Sequence, residues 1–217
     1  MRPGAVSRFA PEPEQVGRKV RLREVDLRDR RVLMGFDRDM AREATPLIGG
    51  GHRHWASHRS GSAGASDDIH FGIETVRGRM LVGSVCTIGA DPLTGLFGYG
   101  IGIAPRHQRC GYATDAITVL LAHMFEQRGF RKCEVTVYGG NLASLSLHGG
   151  LGFREEGRLR DTEVVRGEIK YLVRMGITAE EFAARRPDVL ADSLGGRGQH
   201  RRPRRGKHWR APAAISG

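Results

Sequence analysis

A mixed α/β fold with a largely antiparallel sheet is what this sequence predicts, on three observations. Short alternating runs recur between turn residues, at 19–25, 69–76, 80–88 and 97–103. One long helical period places Ile117, Leu120, Leu121 and Met124 at i, i+3, i+4 and i+7. The order strand, helix, strands, helix, strand, helix, strands then describes a sheet flanked by helices, an α+β arrangement.

The elements follow in order. Residues 1–17, with three prolines and no periodicity, read as a flexible lead-in. After the strand at 19–25, Asp26 suits the N-cap of a charged helix carrying Val32, Leu33, Phe36 and Met40. The Gly-, His- and Ser-rich stretch 47–66 surrounds Trp55 and shows no period. Arg77-Gly78-Arg79 turns one strand into its hairpin partner, and Asp91-Pro92 opens the turn into the strand at 97–103. Pro105 stops that strand, since it cannot donate to a ladder. Beyond the long helix, which Gly129 ends, come a strand at 132–138 and a short helix from Asn141. Strands near 153–162 and 168–175 flank a turn at Arg166-Gly167, and Thr178 with Glu181 forms a capping box for a last helix. The domain therefore spans 18–186, and 187–217 form a basic tail expected to be disordered.

Composition narrows the class. The 217 residues suit one domain with tails, and no apolar run is long enough to span a membrane. The opening stretch lacks an apolar h-region, so secretion is not expected. Cys86, Cys110 and Cys133 are odd in number and lack C-x-x-C spacing, which fits reduced thiols in a cytoplasm. No metal site is expected: His52, His54 and His58 lack a supporting carboxylate. The net charge of +11 is mostly a property of the end of the tail: from Gly195 onward Arg197, Arg201, Arg202, Arg204, Arg205, Lys207 and Arg210 meet no acid and leave +4 for the rest.

The most informative segment is Gln108-Arg109-Cys110-Gly111-Tyr112-Ala113, which joins a strand to a helix. A glycine-bearing turn feeding a helix N-terminus presents unpaired N–H groups and the positive end of the dipole to one point, which suits a pyrophosphate. It has neither the Gly-Lys-Ser/Thr ending of a P-loop nor the three glycines of the dinucleotide fingerprint. The segment resembles the cofactor loop of the GNAT acyltransferases, with Gln108, Gly111 and Ala113 at the defining places. A second segment strengthens the likeness: Asn141 opens a helix that ends in Leu151-Gly152-Phe153, in the family's order and separation. The branch it most resembles is that of the ribosomal-protein N-terminal acetyltransferases, on the first strand, the helix from Asp26 and the run 156–161.

The resemblance implies the GNAT fold, with a splayed central strand pair forming the acyl-CoA cleft. It implies acetyl-CoA as acyl donor and an N-acetyltransferase acting by direct attack in a ternary complex. The acceptor would be a primary amine, on a protein N-terminus or a small molecule. Ile101 and Ile103 of the splayed strand would hold pantetheine through their backbone. Arg109, Cys110, Gly111, Tyr112, Ala113 and Thr114 would turn N–H groups to the pyrophosphate, and Gln108 opens that loop. Asn141 would contact pantetheine, or cap its helix, or do both.

Two departures concern the proton transfers. Where relatives often carry a tyrosine aimed at the CoA sulfur, this chain has His148, whose imidazole could donate to the thiolate. Where the N-terminal acetyltransferases often carry a glutamate base, it has Leu96. Glu74 and His70, of one parity in one strand, are the next candidates, with Glu74 the first choice for a catalytic base. The stretch 49–66 is expected to line the acceptor site. The alternative is a degenerate acyl-CoA-binding domain that associates with ribosomes or nucleic acid through its arginine-rich tail, with steep salt dependence. Oligomeric state, a homodimer included, is left open.

Overall fold

The computed structural model describes residues 15–43, 68–165 and 168–185. Its strands are β1 (Gln15–Val16), β2 (Val20–Glu24), β3 (His70–Thr75), β4 (Leu81–Asp91), β5 (Leu96–Ile103), β6 (Lys132–Tyr138), β7 (Arg154–Val165) and β8 (Glu168–Thr178). The helices are α1 (Asp29–Glu43), α2 (Tyr112–Ala122), α3 (Leu142–Leu151) and α4 (179–185). The strands form one sheet in the order β1-β2-β3-β4-β5-β6-β8-β7. Every pairing is antiparallel except β5–β6. The predicted α/β class with a mostly antiparallel sheet is the observed one. The expectations for residues 44–67 and for the basic tail fall outside the described residues, and the compact unit carrying the sheet ends at Arg185.

The core lies between the sheet and α2. Ile117, Leu120, Leu121 and Met124 are all fully buried, against Val20, Leu22, Phe71, Ile73 and Val85. Each such side chain contributes about 1.5–3 kcal/mol on leaving water, so this stripe fixes α2 to the sheet. The helix changes winding at His123, where a π turn runs from His123 to Gln127. His123 is buried, and its Nδ1 lies 2.9 Å from both Gln15 Nε2 and Gln127 Oε1. The uniform helix expected up to Gly129 thus yields where a buried imidazole meets the edge strand. Gln15 and Val16, assigned above to the lead-in, pair with β2 as β1.

Two caps behave as the sequence predicts. Asp26 Oδ1 accepts from Arg28 N at 2.9 Å, and Asp29 Oδ2 accepts from Asp26 N at 2.8 Å. This reciprocal box begins α1 at Asp29. Thr178 and Glu181 exchange the same pair of bonds, at 3.1 and 3.2 Å, ahead of α4. Asp115, in the first turn of α2, accepts from the backbone N–H groups of Arg18, Lys19 and Val20 at 2.7–3.1 Å. One carboxylate therefore ties the start of β2 to the helix that follows the loop.

Candidate active site

β5 and β6 share a register only at Leu96↔Lys132 and Phe97↔Cys133, after which they part. β5 continues to Ile103 with β4 on one side and a gap on the other. Backbone groups alternate in direction along a strand. Ala104 N donates to Val82 O at 2.9 Å, so the even-numbered residues address β4 and Tyr99, Ile101 and Ile103 address the gap. The predicted splay is therefore present, and it opens the backbone of the two isoleucines named for it. The carbonyl of Ile103 is already taken, by Gln108 Nε2 at 3.1 Å.

The gap ends at the loop. Pro105–His107 make one 3-10 turn, and Arg109 and Gly111 both adopt left-handed backbone conformations, at φ 62° and 77°. Gly111 is the N-cap of α2, so no side chain caps the helix. The first helical bond runs from Asp115 N to Gly111 O at 3.2 Å, and the N–H groups of Tyr112, Ala113 and Thr114 have no acceptor within the helix. A Cβ on Gly111 would lie 2.8 Å from Lys19 Nζ, and that ammonium donates to Cys110 O at 2.8 Å. Lys19 therefore sets a cation against the loop from the bend just ahead of β2, 91 residues before Cys110. Sequence reading missed it, since nothing in an alternating strand marks one lysine. Gln108 also shapes the loop: its backbone N–H goes to Pro105 O at 3.1 Å and one of its two side-chain N–H donors to Ile103 O at 3.1 Å.

His148 lies on α3 with 5% of its surface exposed, between Tyr99 and Phe153. Its ring stacks on Tyr99 at 5.9 Å and meets Phe153 edge-on at 5.1 Å. Nδ1 lies 2.7 Å from the Ser144 carbonyl, which only accepts, so Nδ1 carries the hydrogen. Burial pushes the imidazole below its ordinary pKa, partly offset by that bond. His148 is therefore neutral at pH 7, with Nε2 bare, buried and without a partner. In this state Nε2 can give a proton to the sulfur only after taking one. Tyr99 Oη is likewise buried and without a partner, and burial raises its pKa well above the ordinary value. Asn141 Oδ1 accepts from Ser144 N at 3.1 Å and caps α3.

Glu74 occupies a different environment. It is 6% exposed and accepts from Arg21 Nε at 2.9 Å and Arg23 Nε at 2.7 Å, while Arg21 Nη2 closes on the same carboxylate. Arg23 also holds Asp29 at 2.7 Å. Burial alone would raise the Glu74 pKa, but the bonds from Arg23 and Arg21 outweigh it and the net shift is downward. A carboxylate clamped by two guanidiniums is a poor proton acceptor, and this geometry gives Glu74 a structural task. Among the described residues no group of three or more His, Cys, Asp or Glu is placed to hold a metal ion, and no helix is long and apolar enough to cross a membrane.

The arrangement fits an acyl-CoA thioester, with free N–H groups at the loop, backbone groups along the gap and two orphaned polar atoms beneath it. Comparisons with known proteins agree. An uncharacterized N-acetyltransferase, YokL, derived from the SPbeta prophage of Bacillus subtilis (strain 168), is 33% identical over 102 residues. The match covers 47% of this chain and 58% of that relative, so the chain spans little more than half of its length. A GCN5-related N-acetyltransferase from Brucella melitensis shares the fold at a TM-score of 0.64, with 22% identity over 83% of this chain and 86% of that one. A spermidine N-acetyltransferase chimera of SpeG from Vibrio cholerae and hSSAT does so at 0.60, with 23% identity over 76% and 99%. These likenesses do not assign the ribosomal-protein branch. The model of the acetyltransferase (GNAT) domain matches residues 19–154, and with the splayed strands and the loop that follows them it establishes that the chain belongs to the GNAT acetyltransferase family.

Proposed function

We propose that this protein is an N-acetyltransferase that uses acetyl-CoA and acetylates a primary amine by direct attack in a ternary complex. The observation that carries the reading is the run of acceptor-less N–H groups at Tyr112, Ala113 and Thr114, at the end of a strand whose own backbone is open. Acetyl-CoA supplies a thioester: a C–N bond forms to the amine, the C–S bond breaks and CoA leaves as a thiol. The N–H groups of the loop and Lys19 hold the diphosphate. The backbone of Tyr99 and Ile101, with the Ile103 N–H and the Asn141 amide, orients the pantetheine arm. His148 Nε2 takes the proton that the amine nitrogen sheds as it becomes an amide, and hands it to the sulfur. The imidazole ends neutral, as it began, and the Tyr99 hydroxyl donates a hydrogen bond at the same end of the gap.

Replacing His148 with alanine is expected to lower turnover at least about tenfold, with the acetyl-CoA dissociation constant nearly unchanged by calorimetry. Wild-type turnover in that variant removes His148 from the chemistry. The acceptor is a protein N-terminus or a small-molecule amine. The spermidine N-acetyltransferase among the structural neighbours makes spermidine a compound to assay.

A further inference from the structure

A cavity of about 700 Å³ opens on the sheet face that carries α1, a size that suits a small organic ligand. Glu24, Arg30, Leu33, Asp68, His70 and Ser84 line it. The strand registers tie it to the gap. His70 pairs with Cys86 and Cys86 with Gly100, while Gly72 pairs with Ser84 and Ser84 with Gly102. Directly opposed residues share a face, so His70, Cys86 and Gly100 form one row across three strands, roughly 10 Å wide at the usual strand spacing. Gly100 lies between Tyr99 and Ile101, whose backbone groups face the gap. Tyr99, its neighbour, turns to the other face and stacks on His148. The two imidazoles thus lie on opposite sides of the sheet, His148 against Tyr99 of β5 and His70 two strands away.

Ser84 is 5% exposed, and its hydroxyl is buried without a partner although the residue lines the cavity. Glu24 and Arg30 make no side-chain ion pair among the described residues. From this we infer that the cavity takes the acceptor as a small monoamine with an apolar body, and that His70 is the group that deprotonates its ammonium. The ammonium N–H bond breaks, the electron pair stays on nitrogen, and the proton passes to the imidazole and then to solvent. Glu24 attracts the cation, Leu33 supports the apolar body, and Ser84 accepts or donates one hydrogen bond at the floor. Arg30 opposes a second positive charge, so a polyamine fits less well than a monoamine. Among the described residues, the charged or titratable groups that line the cavity with His70 are Glu24 at the end of β2, Arg30 on α1 and Asp68 ahead of β3, and Cys86 on β4 is its register partner. Glu74, on the same strand and face, is held by Arg21 and Arg23.

The inference rests on the acetyltransferase reading, and the test separates the two. The full chain is titrated with 4-phenylbutylamine without donor, beside Glu24→Gln, and separately with acetyl-CoA. Acetylation of 4-phenylbutylamine, spermidine and a serine-initiated hexapeptide is then followed for wild type and His70→Gln between pH 6 and about 10. Amine binding weakened at least about tenfold in Glu24→Gln is expected, with 4-phenylbutylamine the best of the three acceptors. His70→Gln should cost about a hundredfold in kcat/KM at pH 7. That loss should fade as the pH approaches the amine's own pKa, near 10, where no base is needed. A mere packing defect lowers the whole profile in parallel, and that outcome overturns the role of His70. If acetyl-CoA binds but only the hexapeptide or spermidine is acetylated, the monoamine assignment fails while the enzyme stands. If 4-phenylbutylamine binds and acetyl-CoA does not, the acetyltransferase reading fails and the role of His70 falls with it.

Discussion

Gly111→Asp is expected to abolish acetyl-CoA binding, weakening it at least a hundredfold, or about 2.8 kcal/mol. Three effects of the substitution act together. The residue sits at φ 77°, which any Cβ strains. Its Cβ would stand 2.8 Å from Lys19 Nζ, the cation at the loop. Its carboxylate would occupy the anion position at the start of α2 and draw Lys19 away from Cys110 O. Gly111→Asn separates charge from strain, because asparagine matches aspartate in shape and in its tolerance of the left-handed conformation but brings no charge. Calorimetric titration with acetyl-CoA, with thermal melts to confirm folding, reads both variants. Binding nearly retained in Asn and lost in Asp places the diphosphate at this loop. Binding retained in Asp removes it from there.

Glu74→Gln is expected to lower stability by about 2–3 kcal/mol, because it withdraws a buried carboxylate from two guanidiniums. For a unit of this size that corresponds to a fall in Tm of about 4–12 °C. Arg23 keeps Asp29, which limits the loss. The same cluster sets an acid limit. Glu74 and Asp29 both have folded-state pKa values below their ordinary ones, Asp29 chiefly through its bond from Arg23. Their contribution is therefore complete above the unfolded carboxylate pKa, near 4, and is lost as the pH falls through the lower folded values. Melts from pH 7 down to about 3 should show wild type losing more stability than Glu74→Gln over that range. An unchanged Tm at pH 7 together with lost turnover would return Glu74 to the role of base.

How much of this was legible in the chain depends on the reach of each interaction. The α2 stripe, the box at Thr178 and Glu181 and the glycine turn at 111 are local patterns, in which residues a few positions apart decide the backbone. The splay of β5 from β6 followed from the family likeness and proved visible in the register. The clamp on Glu74 was not legible, because Arg21 and Arg23 reach it from another strand and only the register brings them together. Lys19 was hidden for the same reason. His123, where the π turn begins, meets Gln15, 108 residues away. Which nitrogen of His148 holds its hydrogen was not legible either, because the Ser144 carbonyl decides it.

Asp115 stands in the first turn of α2, where an unshielded negative charge would repel any polyanion brought to that helix end. Here the peptide N–H groups of Arg18, Lys19 and Val20 hold both its oxygens. Those dipoles shield the carboxylate and keep it turned towards the segment 18–20. Cutting those three bonds by displacing 18–20 would turn the same residue into an electrostatic gate against phosphate.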